Sequence, residues 1–263
     1  MDLGLKGRSA AVAAASRGLG RATALALARE GCLVAVGGRD PKKIRASADS
    51  IERETGGRVL AVTADVGSRA DCERFIGETV SAFGRLDILV TNTGGPPAGT
   101  FDSTDGAEWE KAYNGLLANV INLVRAAVPH MKQAKWGRIL NIASLSVKQP
   151  IDNLILSNTF RPAIAGLSKS LSKELGPHGI LVNTICPGYT RTDRLEELAE
   201  SRVKALGITR EQYYEMLAKN VPIGRVAEPE EFANVAAFLC SERASYVSGI
   251  ALAVDGGASV GLA

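Results

Sequence analysis

Residues 9–29 read SAAVAAASRGLGRATALALAR, an apolar run that ends in small residues and continues into a helical pattern. Ser9 to Ala14 is typical of a buried β-strand, whereas Leu19 to Arg29 has the composition of a helix. The turn between them contains Gly18 and Gly20, which let a ligand approach the backbone closely. The helix N-terminus that follows favours negative charge. This strand–turn–helix unit predicts a site for the pyrophosphate of a dinucleotide.

The rest of the chain repeats the alternation of short apolar runs with amphipathic segments. Continuous apolar strands separated by helices are typical of a parallel sheet buried on both faces. No linker, internal repeat or low-complexity stretch divides the 263 residues. We therefore predict an α/β fold in a single domain over 1–263, a Rossmann-type doubly wound parallel sheet of about seven strands. The predicted strands are Ser9–Ala14, Leu33–Val36, Val59–Thr63, Leu86–Thr91, Arg138–Ile142, Ile180–Ile185 and Ile250–Val254, and the helices include Leu19–Arg29, Pro41–Glu54, Ser68–Phe83, 106–114, 116–133, 193–219 and 229–241.

Composition and charge argue against several classes of protein. The chain is 46% hydrophobic and carries a net charge of +3, with basic residues spread along it. This balance fits an ordinary globular core and gives no nucleic-acid footprint. We predict no membrane span, because no run of 18 apolar residues occurs. The four cysteines form no CxxC pair and the two histidines no metal motif, so we expect reduced thiols, no metal and a cytoplasmic location.

Four further landmarks follow the glycine loop in order: Asp65-Val66 after the third strand, Asn92-Thr93-Gly94-Gly95 after the fourth, Pro187-Gly188 after the sixth and Val254-Asp255-Gly256-Gly257 at the end of the last. Their order resembles the short-chain dehydrogenase/reductase superfamily, especially its 3-oxoacyl-carrier-protein reductase-like branch. The glycine loop of that family reads TGxxxGxG; here Gly18 and Gly20 match, and Ala13 and Ala14 replace Thr-Gly. The resemblance implies that the glycine loop and the turns after the third, fourth and sixth strands contact the dinucleotide. The residues it implies are Ala14, Ser16, Arg17, Gly18, Leu19, Gly20, Asp65, Val66, Asn92, Thr93, Gly94, Pro187, Gly188, Thr190 and Thr192.

The end of the second strand bears on the choice between NADP(H) and NAD(H). An acidic residue there would bind the ribose 2′-hydroxyl and select NAD. This chain has Arg39 after two glycines, and its first acid is Asp40. Arg39 and Arg17 offer two guanidinium groups that suit bidentate phosphate contact. We predict NADP(H) over NAD(H); the alternative is that both arginines are solvated surface residues.

The catalytic residues implied by the resemblance are largely replaced. The family uses a serine, a Tyr-x-x-x-Lys pair and an asparagine. An ungapped alignment puts Ser157 at the tyrosine position, Arg161 at the lysine position and Leu116 at the asparagine position, whereas Ser144 matches the serine. A serine hydroxyl is a much weaker acid than tyrosine, whose pKa is about 10, and protonates a carbonyl less well. Arg161 keeps the cation and is predicted to bind the ribose.

If the protein is an enzyme, another residue acts as the proton donor. Lys148 follows Ser144 by four residues on a loop predicted to pass the nicotinamide. A desolvated lysine can titrate near neutrality, so we favour Ser144 with Lys148. Tyr189 and the pair Tyr213 and Tyr214 are alternatives.

Pro162 bears on where the helix that carries Arg161 begins. Inside a helix, proline removes a hydrogen bond and clashes with the preceding turn, but it fits the first turn. We therefore expect this helix to begin near residues 158–161 and to run to Leu175.

Two functions remain open at this stage. The first is an NADP(H)-dependent oxidoreductase with an atypical acid/base, which reduces a small-molecule carbonyl, a 3-oxoacyl compound being one candidate, or oxidises an alcohol. The second is a non-catalytic dinucleotide-binding sensor or oligomer partner. The cofactor-binding pattern favours the enzyme, and the replaced catalytic residues favour the sensor. The resemblance also implies that 193–219 is a substrate lid and that the protein is a homotetramer, with a dimer as the alternative.

Overall fold

The computed structural model describes residues 1–261, except for the side chains of residues 198, 201, 202 and 205. Within this part of the chain, seven strands form one sheet in the order β3-β2-β1-β4-β5-β6-β7. Neighbouring strands are all parallel, so the predicted doubly wound sheet is confirmed. The strands are β1 (Ser9–Val12), β2 (Leu33–Gly38), β3 (Val59–Thr63), β4 (Ile88–Thr91), β5 (Gly137–Ile142), β6 (Ile180–Pro187) and β7 (Ala251–Val254).

Helices cover both faces of the sheet. A π-helical turn, Tyr113–Ala118, joins the fourth helix to the fifth. In the described part of the chain, no helix combines the length and the apolar character that a membrane span needs. The helices are α1 (Gly18–Arg29), α2 (Pro41–Thr55), α3 (Arg69–Phe83), α4 (Gly106–Ala112), α5 (Asn119–Ala134), α6 (Ile155–Leu175), α7 (Asp193–Leu206), α8 (Arg210–Lys219) and α9 (Pro229–Leu239).

The core consists of two hydrophobic clusters, one on each face of the sheet. On one face, α1, α2 and α9 bury Leu27, Ile44 and Phe232 against the sheet. On the other face, α3, α5 and α6 contribute side chains that include Phe75 and Leu123. Because strands buried on both faces must be apolar throughout, this arrangement explains why the strand sequences show runs of apolar residues rather than alternation.

The start of α6 corrects the expectation based on Pro162. The helix begins at Ile155, so Pro162 lies inside it rather than in its first turn. A proline inside a helix costs roughly 3 kcal/mol, and contacts made by the preceding turn offset this cost. The Asn158 side-chain amide accepts a hydrogen bond from the Ile151 backbone N–H at 3.0 Å and donates one to the Ile151 carbonyl at 2.9 Å. Leu156 is buried.

The segment 193–219 is two helices rather than one continuous helical run. Gly207 adopts a left-handed conformation and ends α7, and Thr209 caps the start of α8. A separate hydrophobic cluster joins the two helices: Leu195, Ala199, Tyr213, Leu217 and Val226 are its buried members.

The four cysteines are free and buried. Burial is the main cause that raises the pKa of Cys32 to about 12 and the pKa values of Cys72 and Cys186 to about 11, and it also raises that of Cys240. Only the thiolate reacts as a nucleophile. We therefore expect no reaction of the native protein with Ellman's reagent near pH ~8 and reaction of all four thiols after unfolding. Rapid labelling of a thiol in the folded protein would contradict this prediction.

Candidate active site

The glycine loop connects β1 to α1 at the carboxyl edge of the sheet. Ala14 has a φ of 46°, a left-handed conformation that costs a residue with a Cβ roughly 1–2 kcal/mol. This is the position at which the family resemblance implies glycine. The loop therefore keeps the backbone path that glycine would adopt, although alanine occupies the position.

Gly20 lies where the loop is most crowded. A Cβ at this position would lie 2.5 Å from the Ala14 carbonyl oxygen and 2.7 Å from Asn92 Nδ2. No side chain caps the N-terminus of α1, and its first turn contains no acidic residue. The first N–H groups of the helix are thus available to an anion, and the residues present fit a dinucleotide pyrophosphate.

The other predicted cofactor residues lie in turns at the same edge of the sheet, because parallel strands end there together. The turn after β4 is joined to the glycine loop by the Asn92 amide, which donates to the Ala14 carbonyl at 3.3 Å. After β6, a Cβ at Gly188 would lie 2.6 Å from the Cα of Asp255. The turns hold Asp65 and Val66 after β3, Asn92, Thr93 and Gly94 after β4, and Pro187, Gly188, Thr190 and Thr192 at the end of β6 and beyond it.

Ser157 and Arg161 lie one turn apart on α6, and each is only 5% exposed. The Arg161 guanidinium donates from Nη1 to the Ile142 carbonyl at 2.9 Å. Its Nε is buried and has no hydrogen-bond partner among the described residues. Burial lowers the pKa of Arg161 to about 10. A buried guanidinium with an unused N–H is suited to a hydroxyl or anionic group of a ligand.

Two serine hydroxyls of the site are hydrogen-bonded to each other. Ser157 Oγ lies 3.0 Å from Ser146 Oγ, and either can be the donor. Ser144 Oγ accepts a hydrogen bond from the Ser146 backbone N–H at 3.1 Å. The structure therefore brings Ser144 and Ser157 into one neighbourhood through Ser146.

Cys186 is a residue of this neighbourhood that the sequence analysis did not assign to the site. It is the penultimate residue of β6 and is fully buried. Burial raises its pKa, and the charges of Lys148 and Arg161 lower it in part. Lys148 itself is half-buried. The structure thus places Lys148 and Arg161 around the end of β6. The sequence signal for Cys186 was its position directly before the Pro-Gly pair.

Asn119 is a second residue that sequence analysis missed. It lies at the start of α5, one turn after Leu116, and is 1% exposed. Both polar atoms of its amide are buried without a partner in the described residues. The π-helical turn before it is a local register shift of a kind often found at functional sites, and nothing in the sequence pattern predicted it.

The alternative tyrosines lie in the segment that follows β6. Tyr213 is buried in the cluster shared by α7 and α8, and Tyr189 and Tyr214 pack against that cluster. Tyr214 donates its hydroxyl to Glu196, and burial followed by this hydrogen bond raises its pKa to about 12. The structure thus places all three tyrosines in or against this cluster.

The two arginines predicted to bind a 2′-phosphate differ in their surroundings. Arg17 forms ion pairs with Glu197 at 2.8 Å and with Asp193 at 3.7 Å. Arg39 is exposed and makes no ion pair within residues 1–261. The sequence analysis did not anticipate the acidic partners of Arg17, because they come from α7, far away in the chain.

Comparison with known proteins agrees with this geometry. The family model described as Enoyl-(Acyl carrier protein) reductase matches residues 13–259. Two curated relatives are each 32% identical: 3-oxoacyl-[acyl-carrier-protein] reductase FabG of Aquifex aeolicus, over 98% of this chain and 99% of the relative, and NADPH-dependent reductase BacG of Bacillus subtilis, over 95% and 97%. The crystal structure of L-sorbose reductase from Gluconobacter frateurii, in complex with NADPH and L-sorbose, superimposes with a TM-score of 0.96, 33% identity and full coverage of both chains. The chain therefore belongs to the short-chain dehydrogenase/reductase superfamily of NAD(P)-dependent oxidoreductases, as a member similar to 3-oxoacyl-carrier-protein reductases.

Proposed function

We propose that this protein is an NADP(H)-dependent oxidoreductase that reduces a small-molecule carbonyl group or oxidises the corresponding alcohol. The observation that carries the proposal is the N-terminus of α1, which follows the glycine loop, has no side-chain cap and has no acidic residue in its first turn. When bound, the reduced dinucleotide supplies the hydride.

The protein's own residues divide the remaining tasks. Arg161 holds the ribose hydroxyls with the N–H that has no protein partner, in the position where the family has lysine. Ser144 orients the substrate oxygen by hydrogen bonding. Lys148, half-buried on the loop after β5, supplies the proton to the substrate oxygen. Ser157 stays paired with Ser146 and lines the site.

Three observations support NADP(H) as the preferred dinucleotide. No acid stands at the end of β2, where it would select NAD. Arg39 is free of ion pairs in the described chain and suits a phosphate. The relative BacG is named as NADPH-dependent, and L-sorbose reductase was solved with NADPH.

We further propose that 193–219 covers the substrate and that the protein assembles as a homotetramer. Support for the lid comes from two contacts of α7. Its Glu197 pairs with Arg17 of the glycine loop, and its Arg194 donates to the Pro96 carbonyl in the loop after β4. Support for assembly comes from β7, an apolar edge strand whose residues are all partly exposed, since exposed edges tend to be covered.

A non-catalytic sensor is the second candidate. The specific observation in its favour is that Ser157 stands where the family has tyrosine, and that its hydroxyl is already paired with Ser146. A sensor needs dinucleotide binding but no proton donor.

The deciding experiment measures NADPH binding and NADPH oxidation on one sample against a panel of ketones and 3-oxoacyl thioesters. Binding with turnover supports the reductase. Binding without turnover on any member of the panel favours the sensor.

Variants at Lys148 distinguish proton transfer by this side chain from electrostatic stabilisation by its charge. We expect Lys148→Met to lower turnover about 100-fold with unchanged NADPH affinity. Lys148→Arg keeps the charge but does not deprotonate near neutrality, so it should be equally impaired. Full activity of Lys148→Met would show that the proton comes from another group, and rescue by arginine would limit Lys148 to an electrostatic role.

A further inference from the structure

The N-terminal turn of α7 contacts both walls of the predicted cofactor cleft. On one side, Glu197 Oε1 lies 2.8 Å from Arg17 Nη2, and Asp193 Oδ2 lies 3.7 Å from Arg17 Nη1. On the other side, Arg194 Nη2 donates to the Pro96 carbonyl at 3.3 Å. The helix therefore links the glycine loop to the loop after β4.

The spacing of the two acids explains why both reach one guanidinium. Asp193 and Glu197 are four residues apart on α7, so their carboxylates lie on the same helix face. Thr192, just before the helix, lies against the glycine loop, because a Cβ at Gly18 would be 3.7 Å from the Thr192 Cβ. Arg17 is thus neutralised by the lid before any phosphate reaches it.

We propose that Glu197, assisted by Asp193, competes with the 2′-phosphate of NADP(H) for Arg17. The lid carboxylates then set how strongly the protein prefers NADP(H) to NAD(H), and phosphate binding loosens the attachment of α7 to the glycine loop. This inference rests on the preference for NADP(H) in the proposed function. Binding of NAD(H), which carries no 2′-phosphate, leaves the pairs of Arg17 intact.

The size of the expected change in NADPH affinity follows from the solvent exposure of the Arg17–Glu197 ion pair. Arg17 and Glu197 side chains are 54% and 47% exposed, and exposed ion pairs contribute modestly. Removing the competing charge should therefore tighten NADPH binding about two- to fivefold. Linkage requires the reciprocal effect, so the 2′-phosphate must weaken the α7 contact by the same factor.

The test compares dissociation constants for NADPH and NADH in Glu197→Gln and in a matched control. Glu200→Gln is the control, because Glu200 lies on the same helix and pairs with Arg210 inside the lid. We expect Glu197→Gln to tighten NADPH about two- to fivefold with NADH unchanged, and Glu200→Gln to change neither. In an Arg17→Gln background the Glu197 effect should vanish.

The outcomes separate this inference from the proposed function. If the unaltered protein prefers NADPH but Glu197→Gln leaves its NADPH affinity the same or weaker, the competition is wrong and the proposed function stands. If the unaltered protein binds NADH as tightly as NADPH, the proposed cofactor preference fails and the competition fails with it.

A second measurement follows the lid itself, without turnover. Hydrogen exchange of the first turn of α7 is compared in the presence of adenosine 2′,5′-bisphosphate and of AMP, which differ by the 2′-phosphate alone. We expect faster exchange with the bisphosphate only. Equal exchange with both nucleotides, or greater protection with the bisphosphate, would overturn the coupling between phosphate and lid.

Discussion

Arg161→Met should lower NADPH-dependent turnover by at least about 100-fold while the protein remains folded. Methionine keeps much of the side-chain volume but removes the cation that is placed to hold the ribose. The Ile142 carbonyl loses a donor at 2.9 Å, which costs about 1–3 kcal/mol. Removing a desolvated charge whose Nε has no partner offsets part of that cost. Turnover and NADPH affinity measure the loss of the cation, and urea unfolding measures the net change in stability.

Arg138→Met is the matched control for this variant. Arg138 is also 5% exposed and donates to the backbone carbonyls of Ser241 and Gly137, but it lies at the start of β5, at the opposite edge of the sheet. We expect it to lower the free energy of unfolding without changing NADPH affinity. Equal loss of NADPH affinity in both variants would mean that Arg161 acts only through stability.

Gly20→Ala should abolish tight dinucleotide binding and destabilise the fold. The added Cβ would lie 2.5 Å from the Ala14 carbonyl oxygen, so the glycine loop or α1 must move. Overpacking of this kind costs roughly 1–3 kcal/mol, and the displaced loop no longer presents its N–H groups to the pyrophosphate. Calorimetry for stability and fluorescence quenching for NADPH binding test both parts.

Gly77→Ala is the control for Gly20→Ala. Gly77 is also helical, and a Cβ there would meet nothing within 4 Å. Alanine in an open helical position is expected to stabilise by roughly 0.5–1 kcal/mol, with no effect on NADPH. A Gly20→Ala variant that still bound NADPH like the unaltered protein would refute the assignment of the glycine loop.

The sequence predicted the sheet well because its signals are local. Each strand is a short apolar run bounded by a turn, and the observed strand boundaries differ from the predicted ones by at most two residues. The turns that the family resemblance assigns to the cofactor lie at one edge of the sheet, since parallel strands end there together. The left-handed Ala14 was not predicted, because alanine rarely adopts such a φ and only the surrounding fold imposes it.

The failures of sequence reasoning came from interactions between distant segments. Pro162 favoured a later start for α6, yet Asn158 and Ile151 hold an additional turn in place. The acidic partners of Arg17 lie about 180 residues away on α7, and no local pattern connects them. Cys186 becomes notable through its burial and Asn119 through the unpartnered polar atoms of its amide, which only the folded chain reveals.

The separate hydrophobic cluster of α7 and α8 has a consequence for how such a protein diversifies. Leu195, Tyr213 and Leu217 pack with one another rather than in the two clusters that flank the sheet. Substitutions in this segment can therefore change its own shape without repacking the two clusters that flank the sheet. Under the proposed function, new substrate ranges are accessible by small mutational steps that leave the sheet and its two flanking clusters unchanged.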